Sequence, residues 1–189
     1  MSINDLDLAI SGEAVTEYAN AADRNLTAPS SKEENHTFSA GKEPGLGTWT
    51  EAVRVRDSDI TATKNAPSDA TKMNFVLQLE VLGPTEGGFA TNAGRTHYQY
   101  SYIDKQGLAS SEPKTAGPYK RRLAVVNSLL SACGVDTTAG VASYKAWFQG
   151  DKPLMGQKVA AIFRKYKFKN KTTGEEGVGV DIDGFTALS

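Results

Sequence analysis

Apolar and polar residues alternate with a period of two along several stretches of this chain, and with a helical period along another. In "MNFVLQLEVLG", Met73, Phe75, Leu77, Leu79 and Val81 share one face, while Asn74, Gln78 and Glu80 point the other way. That alternation predicts a half-buried strand. "WTEAVRVRD" predicts another, with Trp49, Glu51, Val53 and Val55 opposed to Thr50, Ala52, Arg54 and Arg56. A ragged strand or loop, "DSDITATKNAPSDA", follows it. "RTHYQYSYI" predicts a third strand, with Thr96, Tyr98, Tyr100 and Tyr102 on one side and Arg95, His97, Gln99 and Ser101 on the other. The second set is ill suited to a core. Alternation therefore sends the tyrosines inward, with their hydroxyls at a rim. A tyrosine row left outside for stacking is the alternative.

The period then changes. Tyr119, Leu123, Val126, Leu130 and Cys133 recur at helical spacing in "GPYKRRLAVVNSLLSACG". Pro118 suits the first turn and Gly134 the stop. "GVASYKAWFQG" predicts a short second helix. "LMGQKVAAIFRKYKFKN" returns to strand, "KTTGEEG" turns, and "VGVDIDGF" completes a hairpin. Three strands, a helix and two strands predict a mainly β fold with α: a five-stranded OB-like barrel with a helix between strands 3 and 4, plus an N-terminal arm. The expected division is an acidic, mostly irregular arm over 1–47, with a weak helix over 13–23, and an OB-like nucleic-acid-binding domain over 48–189.

Charge sharpens that division. The formal net charge is −1. Residues 1–47 hold 3 basic and 8 acidic residues, or −5, while the remainder holds 18 and 14, or +4. A single cysteine permits no internal disulfide and fits a reducing cytosol. Two histidines and one cysteine make poor material for a structural zinc site. Neither a long apolar span nor the basic start of a signal peptide is evident, so a cytoplasmic location without membrane contact is expected.

Catalytic signatures are absent: the chain has no P-loop, GxSxG elbow, HExxH or CxxC. "GGFATNAG" is glycine-rich, but it joins two strands and opens no helix, so it is a hairpin loop. Asp181 and Asp183 have no third carboxylate nearby in sequence and read as a solvated strand edge. His36 and His97 lack a nucleophile partner. Cys133 lies on the apolar helix stripe. No enzyme, catalytic residue, cofactor or metal is expected.

What remains is basic and aromatic. Non-specific single-strand binders need cations for phosphates and flat rings for bases. "AIFRKYKFKNKTTGEEGVGVDI" offers both, with Arg164, Tyr166 and Phe168 on one strand face and Lys165, Lys167 and Lys169 on the other. In the bland alternative, the rings pack away and the lysines merely solubilise a hairpin and blunt an edge. The candidate phosphate contacts are Arg54, Arg56, Arg95, Arg164, Lys165, Lys167 and Lys169, with His97 beside them on the third strand. The candidate stacking residues are Tyr166, Phe168, Trp49 and Tyr98.

"GTWTEAVRVRDSDITATKN", "KMNFVLQLEVLG", "RRLAVVNSLLSACGV" and "LMGQKVAAIFRKYKFKNKTTGEEGVGVDIDGF" together make residues 47–186 resemble the OB-fold single-stranded-DNA-binding proteins of bacteriophages. The resemblance implies sequence-independent binding and protection of single-stranded DNA in phage replication or recombination, in the host cytoplasm. It also implies replication or recombination proteins as partners. Such proteins often end in an acidic tail; here the acidic segment is at the other end, and tail-mediated docking is not expected. RNA stays open as the polymer. A monomer or weak homo-oligomer is expected. Two rivals stand beside this reading: a small β-barrel assembly protein that binds no nucleic acid, and a protein-binding regulator acting through its acidic arm. The arm could also compete with nucleic acid for the basic groove.

Overall fold

The computed structural model describes residues 47–62, 71–88, 92–136 and 144–188. The acidic arm, with the helix expected over 13–23, lies outside them. The elements are β1 (Thr48–Ala62), β2 (Lys72–Glu86), β3 (Thr96–Asp104), α1 (Lys105–Leu108), α2 (Pro113–Ala132), α3 (Tyr144–Phe148), β4 (Lys158–Lys169) and β5 (Glu176–Ala187). The fold is mainly β: a five-stranded antiparallel sheet in the order β3-β2-β1-β4-β5, with a few helices. Among the described residues no helix is long and apolar enough to cross a membrane.

The apolar face of β2 is buried as its alternation predicts, from Met73 to Val81. In β1, Trp49, Glu51, Val53 and Val55 are buried, and then the parity changes to Ser58 and Ile60. A register shift between Val55 and Asp57 accounts for this. One extra residue flips every later side chain to the other face. It also lets β1 run on to Ala62 through the segment whose sequence reads as ragged.

β1 carries the curl. It pairs with β2 from Thr50 to Ala62, but with β4 only from Thr48 to Arg54. The sheet wraps so far that its two edge strands approach each other. Gln99 on β3 reaches across, its Oε1 accepting from the Ile182 N–H of β5 at 3.3 Å. Among the described residues no ladder joins β3 to β5, so the sheet is not closed by backbone hydrogen bonds.

The long helix spans that seam. Ser128 Oγ accepts from the Phe185 N–H at 3.0 Å, and Arg122 Nη1 donates to the Tyr102 carbonyl at 3.2 Å. Leu123, Val126, Leu129 and Leu130 enter the core. Gly134 ends the helix at φ 83°, a conformation glycine adopts without a Cβ penalty. The start differs from expectation: α2 begins at Pro113, and Pro118 lies inside it. Either proline suits a first turn, and the Thr115 and Ala116 N–H groups donating to the Glu112 carbonyl mark the earlier start. Just before it, Asp104 Oδ1 caps α1 by accepting from the Gln106 and Gly107 N–H groups. Residues of α3 close the far end of the core, where Tyr144 and Phe148 both meet Phe75 edge-on.

Candidate nucleic-acid interface

Strand β3 settles the orientation of its tyrosines. His97, Gln99, Ser101 and Ile103 are buried, while Tyr98, Tyr100 and Tyr102 are half-exposed on the outer face. The preference for inward tyrosines is therefore reversed, and with it the placement of His97 outside. His97 is fully buried, edge-on to Phe163 at 5.2 Å, with Nε2 3.4 Å from Gln99 Oε1. Burial pulls its pKa down to about 4, so the ring is a neutral core group at neutral pH. Polar residues can face this interior because the seam supplies partners: Gln99 bonds the β5 backbone, and Asp181 bonds Gln99. The Asp181 carboxyl is itself raised above its ordinary value, chiefly by burial.

Trp49 is likewise inside, at 5% exposure, stacked on Phe163 with ring centroids 5.5 Å apart. Its Nε1 donates to Glu51 Oε1 at 2.8 Å, and Asn92 Nδ2 donates to the same oxygen at 2.6 Å. All three side chains are buried, so the trio fastens the β2–β3 loop to β1 and leaves Trp49 no face for a base.

The β4–β5 hairpin presents its rings differently again. Tyr166 lies opposite Gly179 and Phe168 opposite Gly177. A Cβ on Gly179 would stand 2.5 Å from Tyr166 Cζ, and one on Gly177 2.6 Å from Phe168 Cζ. Each ring thus lies over the bare backbone of the neighbouring strand, the aromatic cover that strand glycines attract. Tyr166 is 6% exposed and so is lost to stacking, while Phe168 lies against Gly177 and stays partly exposed, as the β3 tyrosines do. Arg164 is held over Tyr166 at 5.8 Å, with Nε 3.2 Å from Asp183. Asp183 is the residue bulged out of the β4–β5 ladder, which aims it at Arg164.

The expected cations divide into groups. Arg54 and Arg56 converge on the Glu80 carboxylate, at 3.5 and 2.7 Å, leaving one net positive charge. Arg95 is half-exposed in the approach to β3. Lys165 is half-buried, whereas Lys167 and Lys169 are exposed. Two acids on the face that carries the tyrosines are engaged by the loop after α3. Asp57 pairs with Lys152, whose hydrogen bond holds the Asp57 carboxyl below its ordinary value. Asp59 accepts from Gln149 Nε2 at 2.7 Å.

One cluster had only a faint signal in the sequence. Arg122 of α2 lies 5.9 Å from the Tyr102 ring centroid and 5.7 Å from that of Tyr119, and the two rings meet edge-on at 5.9 Å. The run "YKRR" held the signal, but helical spacing drew Tyr119 to the core stripe. Among the described residues no three His, Cys, Asp or Glu side chains form a metal-binding group. Cys133 is half-buried, and burial pushes its thiol up to about 11, so the thiol form is favoured at neutral pH. No protein-family model and no curated protein matches the chain.

Proposed function

We propose that the outer face of the sheet binds single-stranded DNA without regard to sequence. One observation carries this reading: Tyr98, Tyr100 and Tyr102 stand partly exposed at two-residue spacing along one strand. Rings in such a row suit successive unpaired bases, and stacking on them is sequence-tolerant. Cations stand at both ends of the row. Arg54 and Arg56 reach Glu80, which is two residues from the Tyr98 partner Gln78 on the same face. Arg122 stands at the Tyr102 end.

The curled sheet supports an OB-like interpretation. Its strand order, with α2 between β3 and β4, would become that of a five-stranded barrel if β3 met β5 at the seam now spanned by Gln99. The resemblance to phage single-strand binders supplies a setting, protection of single strands during replication or recombination. Fluorescence anisotropy with single- and double-stranded oligonucleotides of one sequence, at two salt concentrations, tests the proposal. Tighter binding of the single strand at both salts is expected. Equal affinity for both forms, or none at low salt, overturns it.

A further inference from the structure

Helix α2 has an uneven charge. Pro113–Ala132 contains Lys114, Lys120, Arg121 and Arg122 and not one Asp or Glu. All four cations lie in its first half, where Ala116 is the buried apolar residue; Lys114 is exposed, Lys120 and Arg121 are partly exposed and Arg122 is largely buried. Lys114, in the first turn, opposes the helix dipole, so its charge does not serve helix stability; Lys120, Arg121 and Arg122 lie beyond the reach of that effect.

The geometry links this end of the helix to the tyrosine row. Tyr119 touches Tyr102, the last ring of β3, and its own ring sits over Gly107, where a Cβ would collide with it. Arg122 lies over both rings and is tied to the Tyr102 carbonyl. At 100° per residue, Arg122 lies about 60° from Tyr119 around the helix, and Arg121 and Lys114, seven residues apart on one face, lie about 140–160° from it, beyond Arg122. Rings and cations thus pass from Tyr102 to Tyr119 and Arg122; α2 itself holds no acid, while Asp104 ends the outer side of β3 and Glu112 precedes the helix.

We propose that the first half of α2 is a second phosphodiester-binding segment, which takes the strand as it leaves the β3 tyrosines. This rests on the single-strand reading above. Arg122 holds Tyr102 and Tyr119 in place, while Arg121 and Lys114 meet phosphates beyond the last stacked base. The occupant is a single-stranded nucleic acid longer than the tyrosine row, and the segment adds affinity only when the strand is long enough to reach it.

The test compares fluorescent oligothymidylates of about 6 and about 15 nucleotides, within the usual span of one such domain. The variant is Lys114→Ala with Arg121→Ala, because neither side chain holds the core. Expected is a roughly tenfold loss for the longer probe at low salt and a salt slope lower by about 1.4, for two contacts near 0.7 each. The shorter probe keeps its wild-type affinity. If wild type binds both probes and the variant changes neither affinity nor slope, the helix segment is overturned while the single-strand reading stands. If wild type binds neither probe, both fall. Amine-reactive labelling of wild type keeps the question open to test should the variant misfold. Lys114 is expected to be shielded by the longer probe and not by the shorter; equal labelling with both overturns the proposal.

Discussion

The β3 row Tyr98–Tyr100–Tyr102 and the β4 row Arg164–Tyr166–Phe168 have the same two-residue spacing and lie on the same side of the sheet, yet they do different things. Across from the first stand Gln78, Val76 and Asn74. Across from Tyr166 and Phe168 stand Gly179 and Gly177. A neighbour with a side chain fills the space above its own backbone, and the three tyrosines keep part of their surface exposed, Tyr102 with Tyr119 and Arg122 against it. A glycine leaves that space open, and the ring folds down to fill it. The partner strand thus decides how each ring is used: Tyr166 is buried against Gly179, while the β3 tyrosines stay partly exposed.

The largest expected contrast is in stability. Tyr166→Ala uncovers Gly179 and removes a buried ring, at a cost of about 3 kcal/mol. Tyr100→Ala removes a half-exposed ring and costs below about 1 kcal/mol. Urea denaturation of both variants measures the difference. Equal losses would mean that both rows are structural, and the comparison would collapse.

Much of the fold was legible because local alternation is legible. The faces of β2 and early β1, the stripe of α2 and the hairpin after Lys158 all follow from periodicity. Parity in β3 was not, because it depends on the seam. A row of His97, Gln99 and Ser101 looks unfit for an interior until Gln99 is seen to bond the backbone of a strand 83 residues away. The bulge after Val55 was equally silent, since a register shift is a property of two strands and not of one. At the site, Lys167 and Lys169 are exposed, whereas Trp49 and His97, expected as ligand contacts, are buried in the interior, and Tyr166 is covered against Gly179 on the outer side. Glycine spacing in "EGVGVDIDG" held the clue for Tyr166: alternate glycines call for cover.

His97 gives the next effect, and sharpens why the tyrosines face out. Its folded pKa of about 4 lies below the ordinary 6.5, so the unfolded chain takes up the proton first. The stability of a buried neutral ring is complete above pH 6.5 and is lost progressively as pH falls toward 4, by up to about 3 kcal/mol. Asp181 works in the opposite sense, because its carboxyl is raised and burial favours its protonated form. The His97 share is therefore the difference between wild type and His97→Leu in stability measured across pH 4–7. A variant with the same acid dependence as wild type would remove His97 from the interior.

Binding reverses the order of the two rows. Tyr98→Ala and Tyr100→Ala are each expected to lower affinity for an oligothymidylate by about 1–3 kcal/mol, with an unchanged salt slope. Phe168→Leu keeps cover over Gly177 and is expected to leave affinity within twofold, an effect of about 0.4 kcal/mol or less. Loss of affinity from Phe168→Leu with none from Tyr98→Ala would move the stacking platform back to the hairpin.

The smallest effect concerns the hairpin lysines, and it asks whether β4 contributes charge even though its Tyr166 ring is covered. Lys167 and Lys169 are exposed and alternate with Tyr166 and Phe168. The alternation sends them to the other side of the strand from the rings, next to Val178 and Glu176. Their place on the other side of the sheet from the tyrosine row argues for long-range attraction and against direct phosphate contact. Attraction of that kind is screened within about 8 Å at physiological salt. Lys167→Ala with Lys169→Ala is therefore expected to slow association at low salt by about twofold to fivefold, and to leave both the dissociation rate and the affinity at physiological salt nearly unchanged. Stopped-flow association at two salt concentrations separates the cases. A direct contact would appear as faster dissociation and a salt slope lower by about 1.4, and the strand path would then have to cross from β3 to β4.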